Sequence, residues 1–300
     1  MMRRAMVTLA LVGLLLPWAA PAFGDRLFAA DGASGSSSTL YILNPATGAI
    51  DTTVGPIGFS ITGLAFDPTT QVLYGSTGNN SASPRNLVRI DTTTGAGTLI
   101  GPFNTNTPMA DLAFAPSGIL FGWSGFQGTR GLYTIDVTTG AATFVGTNTG
   151  RGSYLDGNGL ASDAAGNLFG GASDDAGSAA LFSVNSTTAV STFIANLTPF
   201  PGDPDASVSA LAFDHAGTLF GIFLNIEAGA SFLVSIDTTT GAMTNRGQSV
   251  DALDAIAFLP NVQPAPSLSP WGLAILMALL AVAGISLVTA RFYKTRNIAR

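Results

Sequence analysis

Leu64-Ala65-Phe66-Asp67 recurs as Leu112-Ala113-Phe114-Ala115, Leu160-Ala161-Ser162-Asp163, Leu211-Ala212-Phe213-Asp214 and Ile256-Ala257-Phe258-Leu259, at spacings of 48, 48, 51 and 45 residues. A fixed period of this size marks a repeat architecture, so it is weighed before any local signal. About eight residues beyond each copy stands a second signature: Leu73-Tyr74-Gly75, Leu120-Phe121-Gly122, Leu168-Phe169-Gly170 and Leu219-Phe220-Gly221. A third follows at Leu87-Val88-Arg89-Ile90-Asp91, Leu132-Tyr133-Thr134-Ile135-Asp136, Leu181-Phe182-Ser183-Val184-Asn185 and Leu233-Val234-Ser235-Ile236-Asp237. The fourth is Thr98-Leu99-Ile100-Gly101, Thr143-Phe144-Val145-Gly146 and Thr192-Phe193-Ile194-Ala195. Each is a short β-branched, aromatic or Leu-rich run bounded by turn residues, which is the pattern of a strand.

Four strands per repeat of about 48 residues is the blade of a β-propeller. Between the third and fourth strands, Asp91-Thr-Thr-Thr-Gly95, Asp136-Val-Thr-Thr-Gly140 and Asp237-Thr-Thr-Thr-Gly241 supply an Asx-turn and a glycine able to take positive φ. The first repeat lacks its inner strand and begins at Leu27-Phe28-Ala29, whereas the last consists of an inner strand alone, Ile256 to Pro260. Pairing these leftovers closes a fifth blade from both ends of the domain and removes the open edges. The expected fold is therefore all-β, a five-bladed propeller over residues 25–261, with a β-helix or a row of sandwiches as the alternative. In wording, the repeat resembles exported bacterial propellers of the NHL and quinoprotein-like kind.

The chain has 300 residues, of which 47% are hydrophobic and 10% charged, so it can bury a large core. It has no Cys, which removes disulfides, thiol nucleophiles and Cys-based zinc sites together. All eighteen acidic residues lie between Asp25 and Asp254, opposed there by six Arg and no Lys, leaving that region at −12. Such a surface offers no cationic footprint for phosphates, so nucleic acid is not an expected partner.

Both ends depart from the repeat. Met1-Met2-Arg3-Arg4, an apolar stretch to Leu16, Pro17 and small residues up to Gly24 have the anatomy of a signal peptide over 1–24. Trp271 to Ala290 is a run of 20 residues without a charge, followed by Arg291, Lys294, Arg296 and Arg300. That length suits a membrane-spanning helix over 271–290 with a basic cytoplasmic tail over 291–300. Residues 262–270 form a Pro/Ser-rich linker. Here Ala265-Pro266-Ser267-Leu268-Ser269-Pro270-Trp271-Gly272 resembles the bacterial sorting tails of the IPTL-CTERM type. Pro266, Leu268, Trp271 and Gly272 match that pattern, Ser267 replaces Thr, and Ala265 departs from Ile. The resemblance implies an exosortase-like processing enzyme as a partner. The two ends together imply export, a lipid bilayer as a further partner, and inner-membrane anchoring with the propeller in the periplasm before any release to the surface.

Strand alternation places the long, variable loops on one face, where binding groups gather on rigid scaffolds. At the axis end of the inner strands this face is expected to collect Thr62, Asp111, Asp156, Asn158, Ser209, Asp251 and Asp254. That collar is the candidate site for an unknown ligand or a cation such as Ca²⁺, which takes carboxylate and carbonyl oxygens. Trp123, Phe126 and Tyr154 either stack on a ligand or cover blade junctions. Catalytic residues are sparse: His215, in Asp214-His215-Ala216-Gly217, reads as a turn residue on the opposite face. The expectation is a non-enzymatic surface or matrix interaction module. Its rival is a Ca²⁺-dependent hydrolase or lyase working from the acidic collar.

Overall fold

The computed structural model describes residues 25–32, 37–125, 128–152, 156–173, 178–198, 207–225 and 230–260. They form twenty strands in five four-stranded antiparallel sheets. Blade I is β20 (Leu253–Phe258), β1 (Leu27–Asp31), β2 (Thr39–Leu43) and β3 (Ile50–Pro56). Blade II is β4 (Ile61–Phe66), β5 (Leu73–Thr77), β6 (Asn86–Ile90) and β7 (Gly97–Pro102). Blade III is β8 (Asp111–Phe114), β9 (Leu120–Ser124), β10 (Gly131–Ile135) and β11 (Ala142–Gly146). Blade IV is β12 (Asp156–Ser162), β13 (Leu168–Ser173), β14 (Ala179–Val184) and β15 (Ser191–Asn196). Blade V is β16 (Ser207–Phe213), β17 (Leu219–Asn225), β18 (Ala230–Ile236) and β19 (Met243–Gln248).

The closure expected from the leftover strands is present: β20 pairs with β1 from Leu27↔Phe258 to Ala30↔Ala255. Pro260 is held in turn by the Gln71 side-chain amide of blade II, Nε2 to carbonyl 2.9 Å.

The fold expectation needs one correction. The described residues are strands and turns with no helix, and none of them forms a helix long and apolar enough to cross a membrane. The signal helix of 1–24 and the spanning helix of 271–290 fall outside the described residues, as do the linker and the sorting residues. The fold class is therefore five-bladed all-β, and the bilayer partner and inner-membrane anchoring are withdrawn. Val262–Arg300 is a unit separate from Met1–Asn261.

No single core exists. Five apolar clusters each lie between two neighbouring blades, because an inner strand sandwiched between sheets buries both of its faces. Leu-Ala-Phe therefore reads as a continuous apolar run, with Leu64, Leu112, Leu160, Leu211 and Ile256 all at most 2% exposed. Four joints share an aromatic pair between a second strand and the next inner strand: Phe28–Phe66, Tyr74–Phe114, Phe169–Phe213 and Phe220–Phe258, with centroids 5.2–5.6 Å apart. The III/IV joint has Ser162 at the inner-strand position instead. There Trp123, fully buried, packs against Gly170, where a Cβ would sit 3.0 Å from the indole.

Candidate functional site

A bulge interrupts the first-to-second strand pairing at one recurring place. Register skips Thr62 between Ile61 and Gly63, Asn158 between Gly157 and Gly159, Ser209 and Ala210 between Val208 and Leu211, and Asp254 between Leu253 and Ala255. A bulge adds an unpaired residue and re-aims its side chain, and bulges concentrate next to sites. Through Thr62, Ser209 and Asp254 they set polar side chains at the loop-side end of the inner strands.

The hydroxyls in this ring stitch blade to blade. Thr62 Oγ1 donates to the Met109 carbonyl, 2.8 Å away in blade III, and Ser209 Oγ donates to the Leu253 carbonyl of blade I at 3.1 Å. Asp111 has no bulge of its own and occupies the next position, where the other blades carry Gly63, Gly159, Ala210 and Ala255. These small residues leave room for one carboxylate. Asp111 is fully buried; its Oδ1 accepts from Leu112 N–H at 2.8 Å, and its Oδ2 accepts from Leu160 N–H at 2.9 Å and Leu211 N–H at 3.2 Å. One side chain thereby ties the inner strands of blades III, IV and V. Burial pushes its carboxyl well above the usual range, against the pull of the three N–H donors, and the nearby Asp254 adds to the rise.

Asp254 is bonded differently from every other acid described. No hydrogen bond or ion pair reaches its carboxyl among the described residues, while the other acidic side chains described are bonded or lie on the outer surface. It is half-buried, and burial raises its pKa to about 7. Glycine is required beside it: a Cβ on Gly32 would fall 2.5 Å from the Asp254 Cβ. Gly32 N–H is bonded to the Ala252 carbonyl at 2.7 Å, and Ala252 takes φ 56, so the approach to β20 is bent sharply just before the acid.

The expected collar is thus assembled in part. Thr62, Ser209, Asp111 and Asp254 gather at the axis. Asp156 and Asn158 begin β12, but their side chains fall outside the described residues. Asp251 is exposed in the turn before β20 and stands apart. The Asp111 oxygens are engaged by N–H donors, and no group of three His, Cys, Asp or Glu side chains among the described residues is placed to hold a metal ion. Trp123 is a blade-junction residue with the Arg151 guanidinium 5.1 Å from its ring, so it offers no stacking platform. Phe126 and Tyr154 lie outside the described residues. His215 sits in its turn as expected, but it also pairs with Asp25, which fastens the start of the domain to blade V.

The opposite end of the axis is a shallow cup lined by the ends of the inner strands of all five blades, Leu64 to Phe66 and its counterparts. Its volume of about 90 Å³ holds a few waters and falls short of the roughly 300 Å³ of a ligand pocket. The polar side chains described at the axis lie at the bulged end. Sequence reasoning missed Gly32, which abuts the key acid, and the amide donors that occupy Asp111; neither leaves a signal in composition or spacing.

No family model matches the chain, and no curated protein sequence matches it either. Among solved structures, it is similar to a chain of a nidogen/laminin complex, with 14% identity over 79% of this chain and 98% of that one, at a TM-score of 0.50. It is also similar to the PQQ-bound aldose sugar dehydrogenase of Streptomyces coelicolor (15% identity, 77% of this chain and 84% of that one, TM-score 0.44) and to a gluconolactonase of Xanthomonas campestris (13%, 77% and 78%, TM-score 0.45). The likeness is one of fold. Because one fold hosts many functions, the expectation of a non-enzymatic chain is withdrawn, and the likeness assigns no activity here.

Proposed function

We propose that the bulged end of the axis is an acid–base site and that the chain is a propeller hydrolase or lyase, with Asp254 as its proton-transferring group. The observation that carries this is the half-buried Asp254 carboxyl, which lacks any donor among the described residues. A half-buried carboxyl with no protein donor keeps its oxygens open to water and to an incoming ligand, which is what proton transfer to a substrate needs. A carboxyl with a pKa of about 7 is matched to proton transfer near neutral pH. In ionised form it takes a proton from an attacking water or from a carbon acid. Thr62 and Ser209, with their hydroxyl protons donated to neighbouring blades, hold the ring rigid around it. Asp111 is a positioning residue, since its oxygens are occupied by three amides.

The test is a panel of aryl glycosides, aryl esters, lactones and a uronate polymer, assayed from pH 5 to 9. One class should turn over, with kcat rising to a plateau above about pH 7, and Asp254→Asn should lower kcat by roughly 10²–10⁴-fold. Absence of turnover across the panel, or an unchanged kcat in Asp254→Asn, rejects the reading. For the tail, we propose that Pro266, Ser267, Leu268, Trp271 and Gly272 form a processing signal, on the strength of their resemblance to sorting tails, and that 1–24 is a removable leader.

A further inference from the structure

The hydrogen-bonding polarity of the ring narrows what can sit in it. The Ser209 hydroxyl proton goes to the Leu253 carbonyl, and Thr62 Oγ1 is tied to the Met109 carbonyl at 2.8 Å and to the Ser76 carbonyl and hydroxyl at 3.4 and 3.2 Å, so neither hydroxyl is a spare donor. The amides of Leu112, Leu160 and Leu211 are all taken up by Asp111. Asp254, once ionised, is an acceptor with nothing donating to it. These residues lie on consecutive blades, with Ser209 on blade V, Asp254 on blade I and Thr62 on blade II. Among the described side chains the mouth therefore offers acceptors and no spare donor.

An anion would find no spare side-chain donor among the described residues of this ring and would face the charge of a domain at −12. A neutral alcohol could donate, yet it would leave the half-buried carboxylate without a counter-charge. A hard metal ion takes six to eight oxygens, and no three acidic side chains gather among the described residues. A nitrogen cation satisfies both requirements, because an ammonium group carries three donors and no acceptor, and a guanidinium five. We infer that the mouth of the axis binds the ammonium or guanidinium head of a small organic cation, held by Asp254 with Thr62 and Ser209 on either side. The inference rests on the same site as the acid–base reading but not on turnover there. Among the described residues, Asp111 is the titratable group whose charge is coupled to that of Asp254.

Isothermal titration calorimetry of the purified protein at pH 8 tests it, with 1,4-diaminobutane as the probe and 1,4-butanediol as its uncharged counterpart. The diamine should bind, the diol should give at least tenfold weaker binding, and Asp254→Asn should weaken the diamine at least tenfold. The diamine/diol contrast is read on the wild-type protein, so it stands even if the variant folds poorly. No heat from the diamine, equal binding of the diol, or displacement of the diamine by Ca²⁺ at equal concentration would overturn the inference. Diamine binding without turnover of any substrate keeps this inference and removes the acid–base reading. Turnover that depends on Asp254, without diamine binding, does the reverse.

Discussion

Two aspartates at the axis show how the same side chain acquires opposite roles from its partners. Asp111 meets three amides and becomes a tie between blades; Asp254 meets none and is left poised. Sequence order exposed both as acids at the ends of inner strands, and it ranked them together with Asp251 and Asp156. It could not separate them, because the partners of Asp111 stand 49 and 100 residues away and are backbone groups that no side-chain pattern advertises. The raised pKa of Asp254 has a consequence for stability. Its folded value of about 7 exceeds the unfolded value of about 3.9, so the folded state holds the proton more tightly. The associated stabilisation is complete below about pH 4 and is lost as pH rises through 7. Asp91, Asp136 and Asp237 act in the opposite sense, since backbone and side-chain donors of their Thr neighbours hold them below the usual range, and their contribution is lost only as the pH falls below it. Thermal unfolding followed by circular dichroism should show Tm falling by roughly 5–10 °C between pH 4 and pH 8. Asp254→Asn should make that fall distinctly shallower. An equally steep fall in the variant would place the titration on Asp111, whose carboxyl burial raises in the same direction.

At the level of the strand and turn, the repeat was almost fully legible, because each blade writes the same chemistry. The Asp-Thr-Thr-Thr-Gly turn forms as its residues dictate: Thr93 and Thr94 N–H groups donate to Asp91 Oδ1 at 2.8 and 2.9 Å, and Gly95 takes φ 82. The bulges were not legible. A skipped residue leaves the hydrophobic pattern of a short strand intact, and only the glycines after Thr62 and Asn158 hint at it. The turn glycine also has a task that no local reading would find. Gly95 lies against the outer strand of the preceding blade, so a Cβ there would be 2.5 Å from the Gly55 carbonyl oxygen. Gly118 has a similar φ of 85 with nothing within 4 Å. The pair separates backbone strain from blade packing. Gly118→Ala should cost about 1 kcal/mol, from positive φ alone, and Gly95→Ala about 2–4 kcal/mol, measured by urea unfolding. Equal losses would show that the contact between blades carries no energy of its own. Blade IV tolerates Ala189 at the matching place with φ 61, so its joint is built to a slightly different fit.

The whole molecule is held by closure, and closure was readable because the first and last repeats were each incomplete in complementary ways. The ends beyond it were read from composition as leader, linker and anchor, and the anchor has no counterpart among the described strands. A concrete outcome can be stated for the termini: intact-mass and terminal-peptide analysis of the protein from its native cells should give a start near Phe23 to Asp25 and an end between Pro266 and Gly272. Recovery of the chain from Met1 through Arg300 would remove the processing proposal. Closure also bears on the order of events at the ribosome. Blade I receives its inner strand from β20, more than 200 residues after β1 is made. At a typical 5–20 residues per second, β1 waits on the order of 10–40 s with its pairing edge open. During that interval the newborn chain is a row of blades with two unsatisfied ends, and its escape from clinging to other nascent chains depends on how fast the last strand arrives.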